Sequence, residues 1–243
     1  MLIRNAILAS LNRVLGLRNL ELRSRVKPAN DCSMDAALRR AGGHFPRIGT
    51  VIDVGAAAGK WTRRALPHFP DARHLLIEPL HERIAELEAL RAAHPRVEFV
   101  SAVAGAEAGE ATLQVAPDLD GSGVSDGGGR TVPVTTLDRE ISQRGLPPPY
   151  FIKLDTHGYE IPILEGARAA LAQTELLMIE VYNFRLTAGC LRFPQMCAHL
   201  EAAGFLPCDA IEPFRRPGDG VLWQMDLVFA RKDAPFFLLQ TYG

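Results

Sequence analysis

The 243-residue sequence has few cysteines, no long apolar run and no excess of either charge. Its four cysteines contain no C-x-x-C pair, so neither a zinc site nor a disulfide framework is expected. No apolar run approaches the roughly 18 residues that span a bilayer, and we expect no secretory leader. Because 27 basic residues balance 28 acidic ones, global charge gives no attraction to nucleic acid. These features predict a folded cytoplasmic protein with reduced thiols and no nucleic-acid partner.

The first 27 residues differ in composition from the rest of the chain. Apolar residues recur there at roughly helical spacing, which predicts a basic amphipathic helix. Its basic residues, opposed by a lone Glu21, are Arg4, Arg13, Arg18, Arg23, Arg25 and Lys27. We interpret this segment as a helix packed on the domain, and weak docking to a membrane surface or a partner is the alternative.

The main domain is expected to begin at Ser33. This serine precedes a short helical stretch that Gly42-Gly43 is predicted to end, which is an N-cap followed by a glycine stop. We therefore divide the chain into an N-terminal extension, residues 1–32, and a single domain, residues 33–243.

From Thr50 onward the chain alternates between short apolar runs and amphipathic stretches. The predicted strands are Val51–Ile52, His74–Ile77, Val97–Val100, Tyr150–Leu154, Leu176–Val181, Phe205–Ile211 and Trp223–Ala230. The predicted helices end near Leu66, Leu90, Leu171 and Ala203. The last two strands are joined by a loop too short for a crossover helix, so they must be antiparallel neighbours. This pattern predicts an α/β fold with a doubly wound, Rossmann-like sheet of seven strands and a terminal antiparallel hairpin.

Residues 110–137 interrupt the alternation. Two strand-like pieces, Ala111–Val115 and Thr131–Thr135, flank a loop rich in glycine and aspartate. This composition is typical of a turn region, so we predict a hairpin insertion.

The segment Asp53-Val54-Gly55-Ala56-Ala57-Ala58-Gly59 joins the first strand to the first helix of the alternation. Small residues let the backbone turn tightly and approach a ligand, and the helix amides favour polar groups. A ligand is therefore expected at this carboxyl edge of the sheet, although a plain tight turn is the alternative. The dinucleotide fingerprint G-x-G-x-x-G is not matched, because Ala57 stands where the middle glycine would be.

Glu78 ends the second predicted strand. An acidic side chain there can accept hydrogen bonds from both ribose hydroxyls of a nucleoside cofactor. The alternative is a solvated carboxylate that opens a helix, and Pro79 would fit that alternative as a first-turn proline.

A second dense group of residues runs from Ile152 to Glu160, as Ile-Lys-Leu-Asp-Thr-His-Gly-Tyr-Glu, and continues as Ile163-Leu164-Glu165-Gly166-Ala167. Here the sequence resembles the FkbM methyltransferase family, whose pattern is approximately I-K-x-D-x-x-G-x-E followed by x-x-x-L-x-G-A. The segments Asp53–Gly59, Glu78-Pro79, Val132–Asp138 and Ile179-Glu180 extend this resemblance over about residues 50–232. It implies a class I methyltransferase fold, S-adenosylmethionine as methyl donor and an oxygen of a small molecule or carbohydrate as acceptor.

We predict which residues contact the cofactor from the resemblance and from their positions at strand ends. These are Asp53, Gly55, Ala56, Gly59, Trp61, Glu78, Pro79, Ala102 and Asp155. The sequence departs from the family at Ala57, where many members carry asparagine. It also carries His157 at a position that varies across the family, so the family does not support His157 as a universal catalytic group.

Methyl transfer is an in-line displacement, so the protein mainly aligns the reactants, and a base has only to remove one proton. The candidate catalytic residues are Asp155, His157, Glu160 and Glu180. For each, a structural role is the alternative: Glu160 and Glu180 could hold loops, and Asp155 could position the cofactor's ammonium. Asp155, Glu180 and Asn183 could also hold Mg²⁺, but their spacing is not diagnostic and we assign no metal.

Two other classes of function are compatible with the fold. A non-catalytic binding or scaffold protein could retain it, and a nicotinamide-dependent oxidoreductase would bind a dinucleotide at the same sheet edge. The intact turn and Glu78 argue against the first of these, and the unmatched fingerprint argues against the second. No oligomeric state is predicted.

Overall fold

The computed structural model describes residues 30–125, 127–239 and 241. The basic segment predicted at residues 1–27 lies outside these residues, and the unit from Ser33 to Gly243 is described by itself. The strands are β1 Thr50–Val54, β2 Arg73–Ile77, β3 Val97–Val100, β4 Val103–Ala104, β5 Gly109–Gln114, β6 Gly123–Val124, β7 Arg130–Thr135, β8 Tyr150–Leu154, β9 Thr174–Tyr182, β10 Phe205–Arg215 and β11 Leu222–Arg231. The helices are α1 Met34–His44, α2 Lys60–Ala65, α3 Ile84–Ala93, α4 Leu137–Arg144, α5 Glu160–Glu165, α6 Arg168–Leu171, α7 Phe193–Ala202 and α8 Pro235–Leu238, with 3₁₀ turns at Leu66–His68 and His81–Arg83.

Seven strands form the main sheet in the order β10-β11-β9-β8-β1-β2-β3. Strands β3, β2, β1, β8 and β9 are parallel, whereas β11 is antiparallel to both β9 and β10. This arrangement confirms the predicted doubly wound sheet with a terminal antiparallel hairpin. Val54 at the end of β1 is in register with Ile77 of β2 and Leu154 of β8. The residues that follow these three strands therefore emerge at one edge of the sheet.

Helices cover both faces of this sheet because its central strands are apolar on both sides. On one face Ile52 packs in a cluster that includes residues of α4, α5, α6 and α7. On the other face Val51 packs with residues of α1 and α2. All five residues of β1 are buried, as are all five of β8. These two rigid central strands carry the segments that build the site.

Helix α1 begins as the sequence predicts and ends later. The Oγ of Ser33 accepts a hydrogen bond from the backbone N–H of Ala36 at 3.4 Å, which confirms the N-cap. The predicted glycine stop is wrong, because the helix continues through Gly42-Gly43 to His44. A Cβ on Gly42 would lie 2.8 Å from the carbonyl oxygen of His68. Gly42 therefore serves close packing inside the helix and does not end it.

The insertion is a hairpin, as predicted, and it forms a second sheet. Strands β5 and β7 pair antiparallel, and β4 and β6 complete a four-stranded sheet in the order β4-β7-β5-β6. Leu113 and Val132 of the hairpin pack in an apolar cluster with Leu80 and Val103. Three members of this cluster, Leu80, Val103 and Leu113, also line the cavity described below.

The helix predicted near residues 163–171 is divided into α5 and α6. Gly166 lies between them, and a Cβ there would approach the carbonyl oxygen of Gly105 to 2.0 Å. The chain therefore breaks the helix where it passes close to a neighbouring backbone. Within the described part of the chain, no helix has the length and apolar character needed to cross a membrane.

Candidate functional site

A cavity of about 330 Å³ lies at the carboxyl edge of the main sheet. Strand ends form one wall, and the hairpin insertion contributes the other through residues such as Leu119 and Val124. The predicted site residues that line it are Gly55, Ala56, Trp61, Glu78, Pro79, Ala102, Asp155, His157 and Glu180. Asp53, Gly59 and Glu160 are not in its wall. The fold thus brings most of the candidate donor contacts and three of the four candidate catalytic residues to one cavity.

The turn after β1 approaches the neighbouring strand closely. Gly55 has a φ of +76°, and a Cβ on it would lie 2.0 Å from the carbonyl oxygen of Asp155. Gly59 also has a positive φ, +70°, and a Cβ there would lie 2.6 Å from the side chain of Leu90. The backbone conformation therefore favours glycine at both positions, and at Gly55 space requires it as well. Gly59 supports the turn from behind the cavity wall and does not line it.

Glu78 is buried at the end of β2 and is held by two backbone N–H groups. Its Oε2 accepts a hydrogen bond from the N–H of Ala57 at 2.7 Å, and its Oε1 accepts one from the N–H of Leu80 at 2.8 Å. Burial raises the pKa of the Glu78 carboxyl against the effect of these bonds. A carboxylate has about four acceptor positions, so two remain for a ligand. The alternative of a solvated carboxylate does not fit a residue with 4% exposure.

Asp53 lies behind the turn and is fully buried. Its Oδ2 accepts a hydrogen bond from Thr62 Oγ1 at 2.7 Å, and its Oδ1 lies 3.1 Å from Lys153 Nζ. Asp53 and Lys153 are direct register partners on β1 and β8. The sequence predicts that Asp53 contacts the cofactor, but Asp53 does not line the cavity. Because side chains alternate along a strand, its side chain lies on the same face of the sheet as that of Val51, beneath the turn.

Lys153 belongs to the site although the sequence analysis gave it no role. Its Nζ lies 3.2 Å from Asp155 Oδ2 and donates to the carbonyl oxygen of Gly55 at 3.3 Å. Burial opposes the charge of this ammonium, but Asp53 and Asp155 outweigh burial and raise the pKa of Lys153. The signal available in the sequence was a lysine inside an otherwise apolar strand, where an unpaired charge would be costly.

Asp155, His157 and Glu180 also line the cavity and converge there. His157 Nε2 lies 3.7 Å from Asp155 Oδ1 and 3.8 Å from Glu180 Oε2. Its Nδ1 lies 3.2 Å from the carbonyl oxygen of Ser122 in the insertion. Because a carbonyl only accepts hydrogen bonds, this contact places a hydrogen on Nδ1, and in the neutral imidazole the lone pair is then on Nε2. The imidazole therefore directs a proton-accepting nitrogen toward the two carboxyl groups.

The backbone at His157 is in the left-handed region. Its φ is +54°, and the next residue, Gly158, has a φ of +98°. A non-glycine residue in such a conformation costs about 1–3 kcal/mol. Glu160 stabilises this loop from below: its buried Oε1 accepts hydrogen bonds from Thr156 Oγ1 at 3.1 Å and from the N–H of Gly158 at 2.9 Å. These bonds support the structural alternative for Glu160, in which it holds the loop, and its side chain does not line the cavity.

The two carboxyl groups near His157 differ in protonation. Burial and the neighbouring charge of Asp155 raise the pKa of Glu180 to about 8, so Glu180 is mainly neutral at pH 7. Burial would also raise the pKa of Asp155, but Lys153 and His157 outweigh it and lower that pKa. Glu180 is further held by hydrogen bonds from Tyr182 Oη and Gln224 Nε2. Asp155 is therefore the ionised member of the pair.

Asn183 does not join this group. Its Nδ2 donates to the carbonyl oxygen of Leu222 at 3.2 Å, and the residue is absent from the cavity wall. The polar atoms of Asp155, His157 and Glu180 lie within 4.8 Å of one another, a spacing that a metal ion could use. One oxygen of Asp155 already faces a cation, the ammonium of Lys153.

Comparison with known proteins gives a family and a fold. The sequence model of a protein family, the methyltransferase FkbM domain, matches residues 53–207. The crystal structure of methyltransferase FkbM from Methylobacillus flagellatus KT is similar at 17% identity and a TM-score of 0.51, over 74% of this chain and 43% of that chain. The present chain thus spans less than half the length of that chain. No curated protein sequence matches it.

Two further solved structures are similar to the chain. One is 1,6-didemethyltoxoflavin-N1-methyltransferase from Burkholderia thailandensis with bound 1,6-didemethyltoxoflavin and S-adenosylhomocysteine, at 19% identity and a TM-score of 0.44, over 84% of this chain and 80% of that chain. The other is an O-methyltransferase family protein from Burkholderia thailandensis, at 15% identity and a TM-score of 0.41, over 82% of this chain and 58% of that chain. At these identities the likeness concerns the fold alone.

Proposed function

The chain belongs to the FkbM methyltransferase family, and from this premise we propose that it uses S-adenosylmethionine as its methyl donor and methylates a hydroxyl oxygen on a small molecule or carbohydrate. One observation carries the proposal. The glycine turn and Glu78 share a single cavity with the imidazole of His157, whose Nδ1 contacts the Ser122 carbonyl and whose Nε2 is the nitrogen that would accept a proton. A site that both holds a nucleoside and offers a base suits an acceptor that must lose a proton to react.

The residues present fit this cofactor. Glu78 has two free acceptor positions for the ribose hydroxyls, and the small residues Pro79 and Ala102 beside it leave room for an adenine ring. The backbone of Gly55 and Ala56 is open to the methionine part, since no side chain projects from Gly55. Asp155 is ionised and suits the ammonium of that part. When bound, S-adenosylmethionine supplies an electrophilic methyl group on its sulfonium.

We assign the proton transfer to His157 in preference to Asp155. An alcohol is a poor nucleophile at neutral pH, so its oxygen has to lose its proton as the new bond forms. The low pKa of Asp155 makes it a weak base, whereas Nε2 of His157 carries a lone pair. After His157 takes the proton, Asp155 Oδ1 at 3.7 Å faces the resulting positive charge and stabilises it.

We assign a small acceptor to the space that the donor leaves in this cavity. The volume of the whole cavity, about 330 Å³, lies at the lower end of the range for small-molecule sites, about 300–1,000 Å³. Ser122, Gly123 and Val124 of the insertion border the end that holds His157. An acceptor hydroxyl would therefore enter between the insertion and the strand ends, where packing against both walls excludes water from the reacting atoms.

Thermal stability tests the donor assignment. A ligand that binds only the folded state at about 100 times its Kd stabilises it by about 2.7 kcal/mol, which is about 5–10 °C in Tm for a domain of this size. We expect S-adenosylmethionine to give such a shift in differential scanning calorimetry and NAD to give none. A shift with NAD and none with S-adenosylmethionine would instead support a nicotinamide enzyme.

A further inference from the structure

Lys153 is a buried charge that the proposed proton transfer does not use. It lies in the middle of the main sheet, and its side chain is 5% exposed. Its strand neighbours Ile152 and Leu154 have no exposed surface. A lone ammonium in such surroundings costs several kcal/mol, so its presence requires compensation by specific partners.

The oxygen partners of Lys153 come from two segments of the chain, the end of β1 with its turn and the residue that follows β8. An ammonium has three N–H donors, and three oxygens surround Nζ: Asp53 Oδ1 at 3.1 Å, Asp155 Oδ2 at 3.2 Å and the carbonyl oxygen of Gly55 at 3.3 Å. The indole ring of Trp61 lies 5.8 Å from Nζ. Lys153 therefore connects the strand before the turn, the turn itself and the carboxylate after β8.

The contact with Asp155 leaves the other oxygen of that carboxylate for His157. Lys153 contacts Oδ2, whereas Oδ1 is the atom 3.7 Å from His157 Nε2. The other titratable groups that interact with Asp155 include the acidic Asp53, Glu180 of β9 and Asp226 of β11, of which Glu180 and Asp226 are register partners, and the phenol of Tyr182. Lys153 is thus the cation that opposes this acidic surrounding and orients the carboxylate.

We propose that Lys153 is a positioning residue of the reaction, which acts through Asp155 to hold one carboxylate oxygen against the imidazole of His157. This inference rests on the proposed function, because it takes His157 as the base. A merely structural role for Lys153 would instead lower stability and leave the efficiency of His157 unchanged in the folded protein.

The test uses the double variant Lys153→Met/Asp53→Asn in the full chain. The single change Lys153→Met would leave Asp53 buried without a counter-charge and endanger folding, whereas the double variant removes both charges and keeps an acceptor for Thr62. We expect its kcat to fall about 10- to 100-fold, as for a misplaced catalytic group. The matched control is Arg40→Met/Asp209→Asn, which removes an ion pair remote from the cavity and should leave kcat unchanged.

The decisive comparison repeats the double variant in a His157→Asn background. If Lys153 acts through Asp155 on His157, the added changes should cost no further kcat, because residues that act as a unit are not additive. A further drop of the same size in that background would overturn the inference, as would a folded double variant with wild-type kcat. Wild-type kcat in His157→Asn alone would instead refute the proposed base, so the two failures are distinguishable.

Discussion

The variant His157→Asn is expected to lower kcat by about 10²–10⁴-fold, the usual contribution of a general base. Asparagine tolerates the left-handed backbone found at this position. Its amide can also donate to the carbonyl oxygen of Ser122 as the imidazole does. It has no titratable nitrogen, so the change removes the proton acceptor and keeps the loop. Donor affinity, measured by calorimetric titration, should change little because His157 has no role in holding the ribose.

The control for this experiment is His199→Ala, which changes an exposed histidine on α7 outside the cavity. It should retain wild-type kcat. If a folded His157→Asn enzyme also retains it, the base is not His157, and Asp155→Asn becomes the informative variant. A large loss of kcat with unchanged donor affinity in Asp155→Asn would then identify Asp155 as the base. A loss of donor affinity would instead indicate that Asp155 binds the ammonium group of the donor.

Glu78→Ala should weaken binding of S-adenosylmethionine at least about tenfold, because hydrogen bonds to a charged group contribute about 1.5–3 kcal/mol each. The same change leaves the N–H groups of Ala57 and Leu80 without their acceptor, so part of the loss reflects a disturbed turn. Glu78→Gln separates the two effects, since it keeps the shape and one acceptor oxygen. We expect its affinity to lie between those of Glu78→Ala and the wild type.

Calorimetric titration with S-adenosylmethionine measures these affinities. Glu88→Ala is a suitable control, because this glutamate is partly exposed on α3 and has no place in the cavity wall. Its donor affinity should match the wild type. Unchanged affinity in a folded Glu78→Ala protein would remove Glu78 from the donor site and with it the placement of the ribose.

The main sheet could be predicted because its physical signals are local. The central strands β1, β2, β8 and β9 contain short apolar runs, and a parallel strand buried on both faces needs such a run. The convergence of Gly55, Glu78 and Asp155 followed from one rule: parallel strands end at the same edge. The register of Val54 with Ile77 and Leu154 bears this out. The terminal hairpin followed from the short connection between its strands.

What the sequence did not predict depends on contacts between distant segments. The sequence pattern at Gly42 predicts the end of a helix, but the structure needs glycine there because the carbonyl of His68 packs against it. The sequence predicts that Asp53 belongs to the binding turn. In the structure its side chain lies on the face of the sheet where it forms an ion pair with Lys153. His157 is predicted from the sequence as a candidate base beside Asp155 and Glu180, but no local pattern indicates the positive φ of its backbone.

The proposed transfer of the methyl group of S-adenosylmethionine to a hydroxyl oxygen can be tested by untargeted mass spectrometry of host extracts that are incubated with the protein and methyl-labelled donor. We expect a small-molecule or carbohydrate product that carries one labelled methyl group on oxygen and is absent with His157→Asn. Label on nitrogen or carbon, or no labelled product from protein that binds the donor, would contradict the proposal.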